Sequence, residues 1–67
     1  MEWKDWIGKK VFIKLNDGCI FSYSMVLVYD EPFISITDKF GLPVIIDVRT
    51  ILVIKEERED GRYERTN

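Results

Sequence analysis

The chain contains no histidine, no alanine and no glutamine, and it has one cysteine, Cys19. Without histidine, the commonest general base and the commonest metal ligand are both missing. A Ser-His or Cys-His nucleophile and a histidine-bearing zinc site are therefore excluded, and the lone thiol excludes an internal disulfide. No apolar run approaches the roughly 18–20 residues a membrane helix needs, because Ser22, Ser24, Asp30, Asp47 and Arg49 interrupt the longest stretches. Phosphate-cradling loops are missing too, since Gly8, Gly18, Gly41 and Gly61 each stand alone. Asp17, Asp30, Asp38 and Asp47 fall at expected turns or strand ends, where aspartate caps the backbone and stays solvated. Their spacing spells no metal site. Nothing here marks an enzyme, a metal centre or a cofactor, and none of the three is expected.

What is present fits one small domain. At 67 residues and 8.0 kDa there is room for a single core. With no covalent or metal staple, its stability has to come from packing or association. A free cysteine beside a tight turn, with no signal-peptide pattern at the N-terminus, points to a reducing, cytoplasmic setting. Heavy use of Ile, Val, Lys and Glu suits a strand-rich domain and a thermophilic, archaeal source.

Charge divides the chain at residue 55. From 56 to 67 there are five acids (Glu56, Glu57, Glu59, Asp60, Glu64) against three arginines, with Tyr63 the one apolar residue. That stretch cannot bury enough surface to order itself, so residues 1–55 are read as the domain and 56–67 as a disordered tail. The tail is a solvated end or a partner-binding segment. At the other end Trp3, Trp6 and Ile7 fall at i, i+3 and i+4, which puts them on one face of a helical turn that Gly8 stops. Such a turn would lid the core.

Between these ends the pattern is of strands. Val11-Phe12-Ile13-Lys14-Leu15 alternates, and Asn16-Asp17-Gly18 supplies residues able to take positive φ in a two-residue hairpin. The second strand, 19–29, is longer than the usual 5–6 or so residues, which predicts a sharp bend near Ser22 and Ser24. Pro32 lacks the amide proton for a ladder bond and ends it. A third strand spans 33–37, Asp38-Lys39-Phe40-Gly41 forms a tight turn, and strands four and five span 42–48 and 51–55. The fold class predicted is all-β: a small, strongly bent, five-stranded SH3-like barrel, closed or nearly so, with a short N-terminal helical turn. Strands four and five are apolar on both faces, and one small barrel cannot bury both sets. Val44, Ile45 and Ile46 on strand four and Leu52, Val53 and Ile54 on strand five are therefore the expected place for another copy to add itself, edge to edge or face to face, in a homo-oligomer.

Nucleic acid is the functional candidate that charge leaves open. Residues 7–55 carry six basic residues (Lys9, Lys10, Lys14, Lys39, Arg49, Lys55) against five acidic ones (Asp17, Asp30, Glu31, Asp38, Asp47). A net charge of −2 and a pI near 5.0 argue against tight sequence-independent binding of duplex DNA. Single-stranded RNA remains, because aromatic stacking and base-edge hydrogen bonds carry much of its recognition. Lys9, Lys10 and Lys14 read equally well as solvated strand positions.

In order of features the chain resembles the Sm and Sm-like (LSm) family. The residues that carry the resemblance are Val11, Ile13, Leu15, Asp17 and Gly18, then Phe21, Met25, Tyr29-Asp30 and Ile34-x-Ile36-x-Asp38, and later Val44-Ile45-Ile46 and Ile51-Leu52-Val53-Ile54. The resemblance implies a ring of six or seven copies, with strand four of one pairing with strand five of the next. It also implies RNA contacts from loops 30–33 and 47–50, drawing on Tyr29, Asp30, Phe33, Lys39, Arg49 and Thr50, and no cofactor. The chain departs from the family at Tyr23, where a glycine is usual in the bent strand, at Phe33, where the uridine-contacting Asn is usual, and at Asp47-Val48 and Thr50, where Arg-Gly and Asn are usual. The other reading is an SH3-like barrel that serves protein–protein assembly without nucleic acid.

Overall fold

The computed structural model describes residues 2–57. A single 3-10 turn, Trp3–Trp6, leads into β1 (Lys10–Leu15), β2 (Ile20–Asp30), β3 (Phe33–Thr37) and β4 (Pro43–Asp47). A second 3-10 turn, Val48–Thr50, then leads into β5 (Ile51–Glu56). Every pairing is antiparallel, and the five strands form one sheet in the order β4-β3-β2-β1-β5. The all-β, strongly bent, five-stranded architecture is the one expected. β4 and β5 stand at the two ends of the order and do not pair with each other, so both keep an open edge among the described residues.

The bend lies in β2, which is eleven residues long. Its first half pairs with β1 (Phe21↔Ile13) and its second half with β3 (Val26↔Ile36), so one strand serves two halves of the barrel. The hinge is Tyr23, with φ 51, the one non-glycine residue at positive φ among those described. For an L-residue this conformation costs roughly 1–2 kcal/mol because Cβ crowds the next carbonyl. The amide it turns out of the ladder is satisfied from far along the chain: Tyr23 N–H donates to Glu57 Oε1 at 2.7 Å. Glu57 is itself fixed by its N–H on the Lys10 carbonyl at 2.8 Å. The ordered chain thus runs past residue 55, through Glu56 in β5 and on to Glu57. The rest of the expected tail, 58–67, lies outside the described residues.

Strand alternation makes the core. Val11, Ile13, Val26, Ile34, Ile36, Ile46 and Val48 are buried, and Trp3, Trp6, Leu15, Phe21, Tyr29, Val44, Ile51 and Ile54 pack around them. The N-terminal turn docks through Gly8 N–H on the Val26 carbonyl at 2.8 Å. Both tryptophans lie against the core as expected, while Ile7 stays exposed.

The first hairpin corrects one detail. Leu15 N–H bonds to the Cys19 carbonyl at 2.8 Å and Gly18 N–H to the Leu15 carbonyl at 3.0 Å. Of its three loop residues only Gly18 takes positive φ, at 94°. This is a type I turn closed by a glycine bulge, not a two-residue loop. The β3–β4 turn repeats it: Asp38 N–H bonds to the Leu42 carbonyl at 2.8 Å, Gly41 N–H to the Asp38 carbonyl at 2.9 Å, and Gly41 has φ 83.

Candidate nucleic-acid interface

Two loops meet at one end of the barrel. The β2–β3 connection is Glu31-Pro32, whose peptide is cis, and its Pro32 carbonyl accepts the Val48 N–H at 2.9 Å. That bond ties it to the 3-10 turn between β4 and β5. The same turn is held from the other side, where the Thr50 carbonyl accepts the Asn16 N–H at 2.8 Å. Loops 30–33 and 47–50 are therefore brought together, and five of the six sequence-predicted RNA residues lie there: Tyr29, Asp30, Phe33, Arg49 and Thr50.

Their environments differ. Phe33 pairs with Asp47 in the β3–β4 register and points out of the sheet, 48% exposed, beside exposed Asp30. Tyr29 faces the other way and packs on the core. Its phenol is pushed above its ordinary range by burial first, then by the charges of Glu31 and Glu2. Of the two aromatics, only Phe33 offers an open ring face.

Arg49 is not a free cation. Asp47 begins the 3-10 turn and accepts the Arg49 backbone N–H at 2.9 Å through Oδ1. It also accepts the guanidinium fork, Nε to Oδ1 at 3.0 Å and Nη2 to Oδ2 at 2.5 Å. The guanidinium, then the backbone N–H of Arg49, hold the Asp47 carboxyl down to about 2. Thr50 Oγ1 donates to the Asp47 carbonyl at 2.8 Å, completing a compact turn. Asp30, Glu31 and Asp47 outnumber Arg49, so this end carries a net negative charge.

Lys39 belongs elsewhere. It sits on the β3–β4 turn, beyond the far end of β3 from Phe33. The Phe33–Thr37 span alone is about 13 Å at ~3.3 Å per residue. There Lys39 Nζ lies 5.4 Å from the centroid of the Phe40 ring. This turn and the start of β2 enclose an open groove of about 370 Å³, lined by Ile20, Phe21, Ser22, Asp38, Lys39 and Phe40. Sequence reasoning missed it. The signal was Phe40 itself, a large apolar residue at a turn tip where polar residues are the rule.

The expected oligomer residues divide by face. Ile45 on β4 is 69% exposed and Leu52 on β5 63%, with Val53 exposed beside it. Ile46 is buried in the barrel's own core, and Val44 and Ile54 pack against that core. Their side chains are turned inward, which leaves their backbones alone to serve an edge. No helix among the described residues is long and apolar enough to cross a membrane. Compared with known proteins, the chain matches no family model, no curated protein and no solved structure.

Proposed function

We propose that this chain is a non-catalytic, Sm-like assembly module whose copies join β4 to β5 in a ring of six or seven and contact single-stranded RNA. The observation that carries the reading is the strand order. A five-stranded sheet with β4 and β5 at opposite ends offers two complementary edges, each flanked by exposed aliphatics: Ile45 on one, Leu52 and Val53 on the other. Unpaired edges of this kind take further strands unless charge or proline blocks them. Here Pro43 and Asp47 sit at the two ends of β4 and Lys55 and Glu56 at the end of β5, and the stretches between carry neither charge nor proline. Because the two edges belong to different strands of one copy, pairing is head-to-tail, and head-to-tail contacts form a ring when the rotation between copies closes and a filament when it does not. In the proposed ring, RNA meets the end where Phe33, Arg49 and Thr50 converge.

Native mass spectrometry tests the assembly: a six- or seven-fold species is expected, and a monomer at micromolar concentration would overturn it. Titration of a labelled single-stranded RNA at low and high salt tests the RNA contact, with weakening at high salt expected. One observation favours a second reading, assembly without nucleic acid: the Asp47 carboxylate occupies the Arg49 fork. A ring that binds no RNA at low salt would select it.

A further inference from the structure

We infer that the groove between the start of β2 and the β3–β4 turn is a separate nucleotide subsite. In it, Phe40 stacks a base and Lys39 meets the adjoining phosphate of single-stranded RNA. The inference rests on the RNA reading above but places the contact at the other end of β3.

Three features support it. First, the platform is rigid. Asp38 Oδ1 accepts the N–H groups of Phe40 at 2.8 Å and Leu42 at 2.9 Å, and Gly41 closes the turn at positive φ. The backbone that carries the ring is braced in this way before any ligand arrives, which lowers the entropic cost of binding. Second, that ring is open. Phe40 is 77% exposed, the most exposed large apolar residue of the described chain, and half-buried Phe21 lines the opposite wall. Such exposure is unfavourable for the free protein and is relieved when a flat ring covers it. Third, the cation has no carboxylate partner: Asp38, which lines the same groove, is turned to the Phe40 and Leu42 N–H groups. Lys39 makes no ion pair among the described residues, and its ammonium lies over the Phe40 ring, in contrast to the neutralised Arg49. With the ammonium over one face of the ring, the other face is the one left for a base, and a stacking face beside a positive charge combines the two elements of single-strand recognition. Ser22 adds a hydroxyl on the wall for a base edge. The groove also has the right size: about 370 Å³ falls at the lower end of the ~300–1,000 Å³ range of small-ligand sites, suited to one nucleotide unit.

The groove exists because β2 bends at Tyr23. The bend swings Ile20, Phe21 and Ser22 toward the turn that ends β3. Distance separates this subsite from the Phe33 end, so a bound strand has to be several nucleotides long to touch both.

The test is amide chemical-shift mapping of the full chain with a single-stranded RNA octamer, together with titrations of Phe40→Ala, Lys39→Ala and Phe33→Ala. Both turn residues are exposed, so their variants should keep the wild-type melting temperature. Shifts at 20–22 and 38–41 are expected. Phe40→Ala should weaken binding about tenfold, the size of one lost stacked base. Lys39→Ala should reduce the slope of log K on log salt by about 0.7, one phosphate. RNA binding that Phe33→Ala abolishes and Phe40→Ala leaves unchanged would overturn the subsite while leaving the RNA reading intact. Absence of RNA binding to the wild-type chain would overturn both. A mononucleotide that binds as tightly as the octamer would show a free-nucleotide site instead of an RNA contact, and would refute the inference as stated.

Discussion

Tyr23 is the residue whose replacement separates backbone strain from side-chain packing. Tyr23→Ala removes the ring and keeps the strained conformation at φ 51; Tyr23→Gly removes both. In an ordinary strand interior, glycine is less stable than alanine by roughly 0.5–1 kcal/mol, because the unfolded chain gains freedom. At position 23 an L-residue carries roughly 1–2 kcal/mol of left-handed strain that glycine does not. The two terms oppose each other, and strain is the larger. Tyr23→Gly should therefore be more stable than Tyr23→Ala by about 0.5–1 kcal/mol, the reverse of the usual order. For a domain of this size that is a difference of roughly 2–8 °C in melting temperature. The measurement is urea and thermal unfolding of both variants at one fixed protein concentration, since association would otherwise shift the midpoint. Alanine equal to or better than glycine would refute the assignment of Tyr23 as the strained hinge.

Two further predictions concern the core and the 3-10 turn. Ile34 is fully buried, so Ile34→Ala should cost roughly 2–5 kcal/mol. Against the about 3–10 kcal/mol typical of so short a chain, denaturant unfolding should find a large part of the stability gone, and a loss under 1 kcal/mol would contradict the core described. Asp47 titrates near 2 when folded, below its ordinary 3.8. A carboxyl lowered by folding stabilises above its unfolded value, and that contribution is lost as pH falls through the folded one. The melting temperature should consequently drop between about pH 4 and pH 2, and Asp47→Asn should flatten part of that drop.

The sequence carried the local features and lost those that depend on distance. Both hairpins were legible because Asn-Asp-Gly and Asp-Lys-Phe-Gly hold their turn chemistry within four residues. Loop length was misread at the first, since a glycine after Asn-Asp serves either a mirror-image turn or a type I turn with a bulge. The bend of β2 followed from its length. Its location followed too, since Ser22 and Ser24 bracket it; the positive φ of Tyr23 did not, because tyrosine is a poor residue for that conformation, and the carboxylate that satisfies its amide comes from Glu57, 34 residues away. Reading 56–67 as a tail by charge alone overlooked that one of those acids could be a backbone ligand. Strand count pointed to a barrel closed or nearly so; which edges stay open is decided by strand order, and order is a tertiary property. Lys39 and Arg49 were grouped by charge, although counting residues along β3 already sets them at opposite ends.

Arg49 shows most directly how a local bond can redirect a binding surface. Its guanidinium is aligned on Asp47 by a turn in which the two residues also share a backbone hydrogen bond, so freeing it for phosphate means exchanging a formed fork for another. Single-stranded RNA should therefore draw its salt dependence from Lys39 alone, with a slope of log K on log salt near −0.7, about one phosphate. Asp47→Asn removes the carboxylate charge but keeps an oxygen to cap the turn, and it leaves Arg49 uncompensated. The slope should steepen to about −1.4 as a second phosphate contact forms, with tighter binding at low salt. Fluorescence anisotropy across a salt series reads both quantities. An unchanged slope in Asp47→Asn would mean that Arg49 does not face the RNA, and the end formed by loops 30–33 and 47–50 would then be a surface for protein.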